Sequence, residues 1–162
     1  MNVPSFFGIP ARRTGEASPP AKQALSGSDR CADSSSDSFR VVMVDDEELI
    51  RKLATGMARR IGVDLVAVAT APAALEMARS SHIDVLLADV LLGEGLDGID
   101  LAKEIAALQP TLSVVLMSGY GAGHFDLQGL PATTQFLTKP FSTDSLMHCL
   151  TTAREHTVLS GG

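Results

Sequence analysis

The chain reads as an α/β domain, a doubly wound sheet of five parallel strands in the order 2-1-3-4-5. Three observations predict it. Short runs rich in apolar residues recur along residues 39–138, and helical periodicity or chain breakers fill the intervals between them. Four of those runs end directly in polar residues: Asp45-Asp46, Asp89, Ser118 and Lys139. A composition of 45% hydrophobic and 20% charged residues is that of an ordinary globular protein able to bury a core without staples.

Phe39–Val44 is an apolar run before an acidic pair and reads as strand one. Glu47–Ile61 places Ile50, Leu53, Met57 and Ile61 on one helical face, and Gly62 is positioned to stop that helix. Leu65–Ala69 is strand two. Thr70 stands as the cap of a second helix, with Pro72 in the first turn, where a missing N–H costs least. Its stripe is Ala71, Ala74, Leu75 and Ala78. Asp84–Ala88 is strand three, nearly all apolar, as a strand buried on both faces must be. Ile99–Leu108 is the third helix, with Leu101, Ile105 and Leu108 inward.

Leu112–Met117 is strand four. The interval from Gly119 to Thr134 holds Gly119, Gly121, Gly123, Gly129 and Pro131, so a fourth helix around His124–Gln128 is expected to be short and marginal. Gln135–Thr138 is strand five. A last helix starts from an N-cap at Ser142 and runs to about His156, with Leu146, Cys149, Leu150 and Ala153 inward. Five successive βα units argue for right-handed crossovers, a (βα)5 sheet of the flavodoxin-like order. In that order strands one and three flank the switch point, and they are the strands that end in Asp45-Asp46 and Asp89.

A length of 162 residues suggests one domain with a tail. Residues 1–38 are rich in Ser, Pro, Ala and Gly and hold too few apolar residues to offset ordering entropy. They read as a disordered linker; a different translation start, or a longer parent cut here, would leave the same composition. Residues 157–162 read as a short C-terminal tail. The net charge of −6 arises after Ser38, where 9 basic residues face 15 acidic ones. That balance argues against nucleic acid as the main partner. Cys31 and Cys149 are far apart and make no disulfide framework, which favours a reducing compartment. No apolar run reaches a membrane span, and Val3–Pro10 is too short for a signal-peptide core. A cytoplasmic location is the expectation.

Side chains at the carboxyl ends of parallel strands converge on one crevice. Three carboxylates, a hydroxyl and a lysine gathered there suit a hard cation and a phosphoryl group. Taken singly, each residue has a plainer explanation. Asp45 and Asp46 suit a helix N-terminus, Asp89 and Ser118 suit turns, and Lys139 suits a loop. Together, like charges in one crevice repel unless a cation holds them.

These residues closely resemble the receiver domain of two-component response regulators, over roughly residues 39–156. The resemblance implies a phosphoacceptor at Asp89, promoting its own phosphorylation and dephosphorylation without a separate catalytic output domain. It implies Mg²⁺ held directly by Asp46 and largely through water by Asp45, with Asp89 and the backbone carbonyl of Leu91 completing the metal set. Ser118 would bond a phosphoryl oxygen, and Lys139, before a cis Pro140 in Lys139-Pro140-Phe141, would pair with the phosphoryl group. Phe136 matches the aromatic that changes rotamer with the serine. The implied donor is a histidine kinase or a histidine phosphotransfer protein, with an unknown downstream protein and no nucleic acid or membrane partner.

Two departures stand out. Val90-Leu91-Leu92-Gly93-Glu94-Gly95-Leu96 is one residue longer than the common turn and carries glycine in place of a Met-Pro pair. This form, with Met117-Ser118-Gly119-Tyr120, is similar to receivers at the C-termini of hybrid histidine kinases. The glycine-rich fourth-helix interval is the second departure. His82, His124, His148 and His156 fit no phosphotransfer pattern and read as solvated. The rival readings are a receiver-like binding module that docks without phosphorylation and, more distantly, a metal-dependent phosphohydrolase.

Overall fold

The computed structural model describes residues 39–93, 97–120 and 125–160, with side chains to Thr157. The expected tail 1–38, residues 94–96 of the turn after Asp89, His124 and residues 161–162 lie outside the described residues. Five strands, β1 (Arg40–Val44), β2 (Asp64–Val68), β3 (Val85–Asp89), β4 (Ser113–Ser118) and β5 (Gln135–Thr138), form one sheet in the order β2-β1-β3-β4-β5. Every pairing is parallel, and the register sets Val44 beside Ala88 and Asp89 beside Met117.

Side-chain alternation along the strands sorts the core onto two faces. Val42, Val44, Leu86, Ala88, Val114 and Leu116 point to the face covered by α2 (Ala71–Ser80) and α3 (Gly98–Leu108). Val41, Met43, Val85, Leu87, Val115 and Met117 point to the face covered by α1 (Glu48–Arg60) and α4 (Thr143–Ser160). The α4 stripe Leu146, Cys149, Leu150 and Ala153 is buried as its spacing predicts. Its Ser142 Oγ accepts the Ser145 N–H at 3.1 Å, the expected N-cap bond. Gly62 follows α1 at φ 73, a left-handed conformation that ends a helix at little cost without a Cβ.

Several expectations are corrected. The helix α1 packs through the small residues Ala54 and Ala58, which turns Leu53 outward to 47% exposure. Ile50, Met57 and Ile61 flank that seam. At the last position of α3, Leu108 is 50% exposed, because the buried seam is made by Ile99, Leu101, Ala102 and Ile105. Thr70 occupies the N-cap position of α2, but its hydroxyl makes no cap bond. No helix connects β4 to β5 among the described residues. Residues 125–134 run as turns closed by Leu130 N–H to Leu127 O and Thr134 N–H to Pro131 O. Glycine and a proline without an N–H leave that stretch too little helical propensity to hold a ladder. The last helix continues beyond His156 to Ser160.

Candidate functional site

The carboxyl ends of β1, β3, β4 and β5 bring the polar residues together. Asp45 follows β1 and is fully buried; its N–H donates to Val68 O at 3.2 Å. Asp45 Oδ1 accepts the Glu47 N–H at 2.9 Å. Asp89 is the last residue of β3 and is also buried. Its Oδ1 accepts the Leu91 N–H at 3.2 Å. Lys139 follows β5, is joined to Pro140 by a cis peptide, and donates its own N–H to Ser118 O at 2.9 Å.

Lys139 Nζ lies 2.8 Å from Asp89 Oδ2 and 2.7 Å from Asp45 Oδ2, with Glu47 Oε1 at 3.9 Å. Burial alone would pull this ammonium down. Hydrogen bonding and charge from Asp45 and Asp89 outweigh burial and hold it above 10.5. For Asp89 the balance falls the other way. Burial raises its carboxyl above 3.8, against Lys139 and the Leu91 N–H, while the neighbouring Asp45 adds repulsion. The two directions agree physically, because one ammonium serves two carboxylates and Asp89 receives only a share of it.

Ser118 ends β4 and is buried, its Oγ accepting the Tyr120 N–H at 2.9 Å. Phe136 is partly buried and stacks on Phe125, with ring centroids 6.5 Å apart. Leu91 and Tyr120 lie exposed. Gly98, the first residue of α3, sits so close to the end of β3 that a Cβ there would stand 1.9 Å from Asp89 O. His82 and His148 are exposed and His156 is partly exposed.

The donor set fits a hard divalent cation. One carboxylate oxygen each from Asp45, Glu47 and Asp89 lies within 4.8 Å of the others. The buried Asp45 Oδ2 has the Lys139 ammonium as its partner, at 2.7 Å, so cation and ammonium compete for the same charge. All-oxygen donors suit Mg²⁺, which binds through one or two carboxylates and keeps several waters. Asp46 is exposed and lies outside this trio, its Oδ2 facing Gly93. Glu47 was not among the expected ligands. The signal for it was the third acid of the run Asp45-Asp46-Glu47-Glu48, directly behind a buried strand.

Among the described residues no helix is long and apolar enough to cross a membrane. The family model of the response regulator receiver domain matches residues 41–151. The transcriptional regulatory protein ZraR of Escherichia coli K12 is 30% identical over 122 residues, 75% of this chain and 27% of ZraR. The chain thus spans about a quarter of that relative's length. Protein PilG of Pseudomonas aeruginosa is 28% identical over 115 residues, 69% of this chain and 84% of PilG. The crystal structure of the NtrX receiver domain from Brucella abortus superposes with a TM-score of 0.64 at 30% identity, covering 71% of this chain and 98% of that one. With the sheet order, the acidic crevice and its lysine already in place, the match identifies the chain as a member of the response regulator receiver domain family of two-component systems.

Proposed function

We propose that this receiver takes a phosphoryl group from a phosphohistidine donor, a histidine kinase or a phosphotransfer protein, onto Asp89. The observation that carries the reading is the Lys139 ammonium between the Asp45 and Asp89 carboxylates, at 2.7 and 2.8 Å. A carboxylate oxygen of Asp89 attacks phosphorus in line. The new O–P bond forms as the P–N bond to the donor imidazole breaks, and the imidazole leaves with the electron pair. Lys139 pairs with the equatorial phosphoryl oxygens, and the Ser118 hydroxyl bonds one of them, so the rate comes from positioning and charge neutralisation. Asp45, Glu47 and Asp89, with Asp46 and the Leu91 carbonyl from the loops beside them, would hold Mg²⁺. When bound, the cation neutralises charge on the transferring group. Water later hydrolyses the acyl phosphate, with Leu91 and Tyr120 flanking its approach.

Ser118 and Phe136 are the switch pair in this reading. New phosphoryl oxygens draw on Ser118 and Lys139, and the signal leaves through protein contacts or onward phosphoryl transfer. PilG supports the first route by analogy, as a relative whose length is mostly the matched region. A cytoplasmic location, where phosphohistidine donors act, belongs to the same reading.

The test is labelling by acetyl phosphate with Mg²⁺. The wild-type chain gains a base-labile phosphoryl group, and Asp89→Asn gains none. Full labelling of Asp89→Asn removes Asp89 from the mechanism, and an unlabelled wild-type chain favours a module that docks without phosphorylation.

A further inference from the structure

We propose that Arg51, on the first turn of α1, is the positioning residue that holds the acidic loop in its cation-binding shape. The inference rests on the cation site described above. Arg51 bonds three consecutive carbonyls. Its Nη1 donates to Asp45 O at 2.7 Å and to Asp46 O at 2.8 Å, and its backbone N–H donates to Glu47 O at 3.1 Å. These are the carbonyls of the residues whose carboxylates line or border the crevice. The first two bonds belong to the guanidinium and are lost with it; the third is the first helical bond of α1 and survives any substitution at this position except proline.

A guanidinium nitrogen carries two hydrogens in a fixed plane, so one Nη1 serves two adjacent carbonyls only at one loop geometry. That geometry also sets the hydrogen bond from the Glu47 N–H to Asp45 Oδ1 at 2.9 Å. The buried Asp45 carboxylate is therefore held from two sides: Lys139 from the crevice, and the loop that Arg51 clamps from behind.

Charge and positioning predict opposite signs for this residue. As a charge beside three acids, Arg51 repels a divalent cation, so its removal would tighten Mg²⁺ binding. As a clamp, its removal lets the loop wander, and Mg²⁺ binding weakens. Supporting groups around metal ligands are worth about 10–100-fold in affinity. The clamp therefore outweighs the charge.

The experiment is calorimetric Mg²⁺ titration of the full chain with amide exchange of the metal-free protein. Arg51→Met should weaken Mg²⁺ about tenfold and speed exchange at Glu47, while the core strand β3 stays protected. Lys52→Met removes the same charge one residue on, from a side chain paired with Glu48, and should leave affinity unchanged or tighter. Should Arg51→Met not fold, Arg51→Lys takes its place, because one ammonium cannot hold both carbonyls in the fork geometry. Mg²⁺ binding by the folded Arg51 variant as tight as wild type overturns the clamp. If Asp89→Asn loses Mg²⁺ affinity in the same series, the cation site survives that failure. A wild-type chain that takes up no Mg²⁺ overturns both.

Discussion

Gly98→Ala and Gly56→Ala should move stability in opposite directions, although both lie in helices. Neither glycine has a positive φ, so backbone conformation does not separate them. Space does. A Cβ on Gly98 would stand 1.9 Å from Asp89 O and 2.7 Å from Asp89 C, both backbone atoms. The N-terminus of α3 and the end of β3 would have to part by roughly 1 Å before the repulsion is relieved. That movement breaks the Gly98 N–H to Val90 O bond, now 3.1 Å. Overpacking costs about 1–3 kcal/mol, the lost bond about 1 kcal/mol, and alanine's helix propensity returns about 1 kcal/mol. The net is a destabilisation of about 2 kcal/mol, or roughly 8 °C in Tm for a domain of this size. A Cβ on Gly56 meets nothing within 4 Å, so only propensity acts. That variant should gain about 1 kcal/mol, roughly 4 °C. Thermal unfolding by circular dichroism reads both. Because the displaced carbonyl belongs to Asp89, Gly98→Ala should also lose acetyl phosphate labelling at temperatures where it remains folded. A Gly98→Ala chain melting at or above wild type would refute the close-approach reasoning.

Two further outcomes follow from the electrostatics of the site. In the metal-free protein, the Asp89 carboxyl should titrate above 3.8, read by its ¹³Cγ shift, and Mg²⁺ should bring the midpoint down. Protonation then favours the fold, so this contribution to stability is fully present below 3.8 and is lost as pH rises through the raised folded value. A metal-free midpoint at or below 3.8 would contradict burial as the dominant cause. Glu47→Gln should weaken Mg²⁺ about tenfold by calorimetry, whereas Glu48→Gln, equally close in sequence but outside the acidic trio, should stay within about twofold. Equal losses in both would mean that only general charge acts.

The alternation of strands and helices, the strand order expected of it, and the strand ends that carry Asp45, Asp89, Ser118 and Lys139 are legible along the chain. These are properties of local patterning, since apolar runs and polar punctuation act within a few residues. The α4 stripe and its Ser142 cap were legible for the same reason. How each helix rolls against the sheet depends on packing between elements distant in sequence. A turn of 100° per residue separates Leu53 from Ala54, and close packing on the strands selected the alanines. Only the tertiary structure shows that Gly98 must lack a Cβ, because the obstructing carbonyl lies across an intervening loop. Gln109 is a similar case. Its side chain donates to Ala78 O at 2.7 Å and Ser81 O at 2.9 Å and accepts the Ile83 N–H at 2.8 Å, tying α3 to the entry of β3. Within the site, the acid run Asp45–Glu48 names four carboxylates without saying where each one points. The loop after β1 brings oxygens of Asp45 and Glu47 within 4.8 Å of Asp89 and turns Asp46 Oδ2 toward Gly93, an outcome of backbone geometry that spacing along the chain does not encode.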